Sequence, residues 1–313
     1  MVRIGSGVGR RGLLVAAGVT TLSFDALLPL SASDTIPAIR LADGTSLPLP
    51  IFGLQIYDDN TAEICTMRAL ECGFRAFFTS PEAGNQRGFA RAISRSGVAR
   101  GDIFIAGSVL SDDANGYREA LKETSRACDE SLEALASGGV DSLDMLLLER
   151  PAGTCAAIRG QWQEMMKRRG SGVCRSLGVC NFDLADLDCL AGAAYMPQVN
   201  QIPYSLALRM PHRQILRGHR ERRIALMTWG PLGGPSALIP RSMLDQCAAI
   251  GKQYDKTAYQ VALRWIVQQG VAFTVHSRVP EHLRSDLAIF DFALTNDEMA
   301  SLESNSERPA LYY

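Results

Sequence analysis

Gly73-Phe74-Arg75-Ala76-Phe77-Phe78-Thr79-Ser80-Pro81-Glu82-Ala83-Gly84-Asn85-Gln86 decides the fold of this 313-residue chain. The run through Phe78 reads as a buried strand, apolar on both faces and opened by glycine. Ser80-Pro81 and Gly84 punctuate a polar turn, and Gln86 begins a helix. Strand, turn and helix in that order form the repeating unit of a parallel sheet with crossover helices.

From residue 51 onward the same alternation continues. Eight strand candidates fall at 51–55, 74–78, 103–108, 143–148, 174–179, 198–201, 224–228 and 271–275, with helical segments between them. Tyr117, Leu121, Thr124, Cys128, Leu132 and Leu135 fall on one predicted helical face. Lys167-Arg168-Arg169 before Gly170 reads as a helix C-terminus, where cations meet unpaired carbonyls. Arg217, Arg220, Arg222 and Arg223 close the next helix in the same way, with partner docking as the alternative role. Thr257 opens a helix that Gly270 stops, and Thr295 with Glu298 forms a capping box for the last one. Upstream, Asp43-Gly44 between Leu41 and Leu47 marks a hairpin turn. No linker or long-period repeat divides 36–313. The expected fold class is α/β, one (β/α)8 TIM barrel with an N-terminal β-hairpin.

Residues 1–35 read differently. Arg10-Arg11 precede an apolar run from Gly12 to Phe24, and Ser31-Ala32-Ser33 follow, which is the layout of a twin-arginine-type export signal. Asp25 interrupts the apolar run, which is short for a bilayer span. The expectation is a signal-like arm that places the protein in a thylakoid lumen or periplasm, near a membrane. The alternative is a disordered or surface-docked arm on a cytoplasmic protein.

Composition narrows the function classes. A net charge of −1 provides no global field to recruit nucleic acid or an acidic membrane surface. Only four of the 32 basic residues are lysines, at positions 122, 167, 252 and 256. The eight cysteines show no CxxC or Cys/His ligand spacing, so no metal site is expected, and Cys65 and Cys72 suit small core positions. Disulfides stay open should the chain be exported.

The opening stretch resembles the aldo-keto reductases, whose pattern there is Gly-Tyr/Phe-Arg-x-x-Asp-Thr-Ala-x-x-Tyr-Gly-Asn-Glu. Further matches are Arg175-Ser176-Leu177-Gly178-Val179-Cys180-Asn181-Phe182, Val199-Asn200-Gln201 and Trp229-Gly230-Pro231-Leu232-Gly233. The resemblance covers roughly 36–304 and implies a barrel with an NADP or NAD site and a catalytic Asp/Tyr/Lys/His tetrad. In the family a phenol is the proton donor, made more acidic by a nearby lysine, because a pKa of about 10 suits neutral pH poorly. Here the four tetrad positions hold Phe78, Ala83, Ser108 and Glu149. Glu149 resembles the variant of the steroid double-bond reductases, which keep the tyrosine. Its expected role is structural, paired with an arginine such as Arg150.

For the cofactor, the resemblance assigns the nicotinamide carboxamide to Asn181 and Gln201, ring stacking to Trp229, and the phosphates to Leu232 and Ser277. The family's lysine and arginine clamp on the 2′-phosphate is replaced by His276 and His282, with Asp286 where an asparagine is usual. Arg278 takes over the clamp only with a rearranged loop, and Gln55 and Ile56 crowd the nicotinamide end. The chain stops at Tyr313, short of the long C-terminal loop that shapes the substrate pocket in relatives.

Two functions compete. The first is a non-catalytic barrel without cofactor, serving as a structural or assembly subunit of a membrane-associated photosynthetic or respiratory complex. The alternative is a divergent NAD(P)H-dependent oxidoreductase or cofactor-sensing protein that uses the residual nicotinamide site.

Overall fold

The computed structural model describes residues 36–208, 210–234 and 237–306. The signal-like arm at 1–35 and the tail at 307–313 lie outside the described residues. Strands β1 (Ala38–Arg40) and β2 (Ser46–Pro48) form the expected antiparallel hairpin. Gly44 turns it with φ 88°, a left-handed conformation that glycine adopts freely. Asp43 ties the turn to the barrel, its N–H donating to Gln198 Oε1 (2.9 Å) and its carboxylate accepting from the Tyr195 hydroxyl (2.5 Å). Leu47 and Leu49 are fully buried, so the hairpin closes one end of the barrel with apolar side chains.

Eight parallel strands close the barrel: β3 (Pro50–Gly53), β4 (Ala76–Thr79), β5 (Phe104–Val109), β6 (Leu143–Leu148), β7 (Cys174–Cys180), β8 (Val199–Pro203), β9 (Ala225–Trp229) and β12 (Ala272–Val275). A short β10/β11 pair (Gly233–Gly234 and Ala237–Leu238) sits beside the mouth. All eight expected strands are present, each within two residues of its predicted bounds. The helices α1 (Asp59–Glu71), α2 (Gln86–Arg95), α3 (Tyr117–Ala136), α4 (Cys155–Gly170), α5 (Leu184–Asp188), α6 (His212–Glu221), α7 (Arg241–Gly251), α8 (Ala258–Gln268), α9 (Pro280–Leu287) and α10 (Asn296–Ser306) surround it. Capping boxes at Thr257/Gln260 and Thr295/Glu298 start α8 and α10.

The opening stretch folds as β4, a short 3-10 turn and α2. Phe77 packs on Phe89 of α2 and on Phe52, on the outer face of the wall. Strand alternation therefore turns Phe78 inward, where it is 1% exposed and fills the barrel with carbon. Asn85 holds the turn in place by donating from Nδ2 to the carbonyls of Leu54 and Tyr57.

The α3 face differs from expectation. Ala120, Thr124, Cys128, Ser131 and Leu135 are buried, whereas Tyr117 is exposed. The helix is rotated so that Thr124 bonds to Ser111 and Ser131 donates to the Ser108 carbonyl, while a Cβ at Gly160 of α4 would lie 2.2 Å from the Tyr117 carbonyl.

Of the basic clusters, Arg220 donates to the Gln269 carbonyl and Arg222 pairs with Asp188 (2.7 Å), both at the surface of the chain itself. Arg168 is more than a helix-end cation. It reaches the fully buried Glu164 at 2.8 Å and also holds Asp129 and Ser125 of α3.

A Cys155–Cys189 disulfide joins the start of α4 to the end of α5 across 34 residues, enclosing β7. Closing a loop of that length restricts the unfolded chain, worth about 3–4 kcal/mol in the chain-entropy account. Reduction, or Cys155→Ser, is expected to lower the thermal midpoint accordingly, and equal midpoints with and without reductant would refute this. The other six cysteines are free thiols.

Candidate active site

The C-terminal ends of the barrel strands carry polar side chains on an otherwise apolar wall. Ser80 follows β4, Ser108 lies in β5, Glu149 follows β6, Asn181 follows β7, Gln201 lies in β8 and Trp229 ends β9. Parallel strands in register deliver all six to one end of the barrel.

Glu149 is the centre of one group. It is 7% exposed, and both carboxylate oxygens accept from the Ser80 hydroxyl (2.9 and 2.8 Å). Oε2 accepts from the Ser108 hydroxyl as well, at 2.6 Å. Burial raises the Glu149 pKa above the ordinary carboxylate value; the two serine hydroxyls offset part of that by stabilising the anion. The expected pairing with Arg150 is corrected. Arg150 reaches outward to Glu82 at 2.5 Å and to Asp112 at 3.8 Å, because a guanidinium is far better solvated at the exposed rim than inside the barrel. Ser80, Glu149 and Ser108 thus form one hydrogen-bonded cluster. Sequence reading singled out Ser108 and Glu149 but missed Ser80, which sits where the family has alanine. Its neighbour Ala83, in the tyrosine position, is half-buried and provides no polar atom.

The second group adjoins the first, since Asn181 follows β7, the strand paired with β6. Asn181 has φ 60°, one of three non-glycine residues in the left-handed region among the described residues. Such a conformation costs roughly 1–2 kcal/mol and is best tolerated by asparagine. The strain aims its amide between strands: Nδ2 donates to the Glu149 carbonyl (3.1 Å), and Oδ1 accepts from the Trp229 indole N–H (3.0 Å). Gln201 is 2% exposed; its Oε1 accepts from the Cys180 thiol (3.2 Å), whereas its Nε2 donor has no partner. A buried amide N–H without an acceptor costs about 1–3 kcal/mol, and a carbonyl oxygen is one group that would satisfy it. The carboxamide of a nicotinamide presents one, and the residues here fit that group.

The phosphate end is built differently. Leu232 packs half-buried against the core, and Ser277 caps its own loop by accepting from the Val279 N–H (3.0 Å). The Arg278 guanidinium lies over the Tyr57 ring, 5.7 Å from its centroid, with no turn toward a clamp. Tyr57 in turn stacks on Phe52, whose ring also meets Phe77 at the outer face of the wall. Asp286 is nearly buried and its pKa is pushed up to about 7 by burial. The residues present do not form a 2′-phosphate clamp. Crowding by Ile56 is also corrected, because that side chain is 58% exposed and points to solvent. Gln55 folds back over Gly53, with Oε1 2.7 Å from where a Cβ would stand.

The aldo/keto reductase family model matches residues 52–307, and the chain belongs to that family. An aldo-keto reductase of Mycolicibacterium vanbaalenii is 33% identical over 279 residues, covering 89% of this chain and 95% of its own length. Another from Mycolicibacterium smegmatis is 34% identical over 271 residues, covering 85% and 90%. Among solved structures, an aldo/keto reductase from Brucella melitensis superposes with a TM-score of 0.77 at 27% identity, covering 87% of this chain and all of that one. The silkworm Bombyx mori protein, solved in complex with NADP, shares the fold with a TM-score of 0.74 at 22% identity. Relatives named as reductases give no support to the expected structural-subunit role or to the expected lack of a cofactor.

Proposed function

We propose that this chain is a nicotinamide-dinucleotide-dependent oxidoreductase acting on an electron-poor carbonyl, such as a quinone or an α-dicarbonyl. The unpartnered, buried Gln201 Nε2 carries the reading, supported by the strained Asn181 beside it. Gln201 and Asn181 would take the carboxamide, and Trp229 would exchange its bond to Asn181 for stacking on the ring. A bound reduced nicotinamide supplies a hydride. Without the family's phenol and lysine, acceptors already activated toward hydride are favoured.

Trp162 and Trp265 are 1% exposed, so Trp229 is the tryptophan placed to report binding. Titration with NADH or NADPH is expected to quench its fluorescence saturably. Because no clamp faces the 2′-phosphate, NADPH should bind no more than a few-fold tighter than NADH. Gln201→Leu should weaken both by about tenfold, the worth of one buried hydrogen bond. Absence of saturable quenching by either dinucleotide would remove the basis of the reading.

A further inference from the structure

We propose that Glu149 is the proton donor of this site, with Ser80 and Ser108 as its positioning residues; the assignment rests on the oxidoreductase reading above. Other proton sources at the mouth are excluded by geometry. Arg150 and Glu82 are committed to each other at the rim, Ala83 has no donor, and Tyr57 lies at the outer face of the wall. The Cys180 thiol faces Gln201, and burial and the nearby Glu149 carboxylate push its pKa up, which makes it a poorer acid still. Glu149 remains, at the end of β6, joined through its own carbonyl to the Asn181 amide that faces the nicotinamide position.

Burial favours the neutral acid, the form that donates. As the acceptor carbon takes the hydride, the C=O π bond opens and the Glu149 O–H breaks. Its proton forms the new O–H of the product. Two electrons pass to the acceptor, and the nicotinamide is oxidised. The Glu149 carboxylate left behind is held by the two serine hydroxyls in the arrangement the structure shows, then regains its proton from water. The serines thus stabilise the state formed after transfer, as preorganised donors do for developing charge. The charged groups near Glu149 are Glu82, which raises its pKa, and Arg150, which lowers it; Arg150 is itself neutralised by Glu82 and Asp112.

The test compares the wild-type chain with Glu149→Gln, Ser108→Ala and Ser80→Ala. In single-turnover reduction of an α-dicarbonyl by NADH, Glu149→Gln should slow transfer on the order of 100-fold while dinucleotide affinity stays within about twofold. The rate should fall with rising pH as Glu149 ionises. Ser108→Ala and Ser80→Ala should each move that limb to higher pH, since a donor to the carboxylate has been removed. An unmoved limb in both would overturn the positioning role. Independently of any cofactor, infrared difference spectra across the same pH range should show a protonated-carboxyl band in the wild type that Glu149→Gln lacks. No such band, or an unchanged transfer rate in Glu149→Gln, overturns the assignment. Failure of NADH and NADPH to bind the wild type would instead sink the oxidoreductase reading, while the infrared comparison still decides the state of Glu149.

Discussion

Arg168→Met is expected to lower the unfolding free energy by about 3–5 kcal/mol, the cost of leaving a buried ion without its partner. Glu164, on α4, is fully buried, and Arg168 meets it at 2.8 Å with its own side chain only 16% exposed. Methionine keeps much of the packed stem but removes every donor. The Lys167 ammonium, 3.3 Å from Glu164 and largely exposed, compensates only in part. Arg168 also donates to the Ser125 carbonyl and hydroxyl, so the variant loosens α3 from α4 as well. Urea unfolding checks this: the midpoint should drop with an unchanged slope. The double variant Glu164→Gln/Arg168→Met should be more stable than Arg168→Met alone, because the stranded charge is gone. A single variant within about 1 kcal/mol of wild type would show that Glu164 finds other solvation.

Much of the fold could be read from the sequence because each barrel strand announces itself locally. Residues 143–148 are apolar almost throughout, and β6 occupies those positions without shift. Caps at Thr257 and Thr295 were legible for the same reason, since a capping box lies within four residues. The rest needed distance. Ser80 looks like a turn residue, and only the return of β6 beside β5 brings Glu149 to it, 69 residues later in the chain. Arg150 neighbours Glu149 in sequence but points the other way, since successive residues leaving a strand face opposite sides. Cys155 and Cys189 carry no spacing signal; they meet because β7 and α5 fold back to the start of α4. At the site itself, the resemblance located Ser108 and Glu149, but the bonds that Ser108 and Ser80 make to Glu149 became visible only in the fold.

The Asp286 position, where the family usually has asparagine, gives the clearest pH-dependent expectation. Asp286 is 9% exposed near the end of α9, and no hydrogen bond to its carboxylate is present among the described residues. Desolvation therefore acts unopposed and pushes its pKa up to about 7, against about 3.9 in an unfolded chain. The folded state holds the proton more tightly than the unfolded state does. Below about pH 4 both states are protonated and the residue costs nothing through ionisation. Between there and about pH 7 the unfolded chain releases its proton first, and stability falls steadily as pH rises. Above that the penalty levels off at up to about 4 kcal/mol. Asp286→Asn keeps the shape and removes the ionisation, so it should match wild type near pH 4 and gain most of that difference near pH 8. Paired urea midpoints at the two pH values provide the measurement. A gain of equal size at both would attribute the effect to packing or hydrogen bonding. The same substitution bears on the cofactor, since α9 borders the loop of Ser277 and Arg278. A carboxylate that ionises there as pH rises adds repulsion toward a phosphate, so NADPH affinity should fall from about pH 6 to pH 8 more steeply in wild type than in Asp286→Asn.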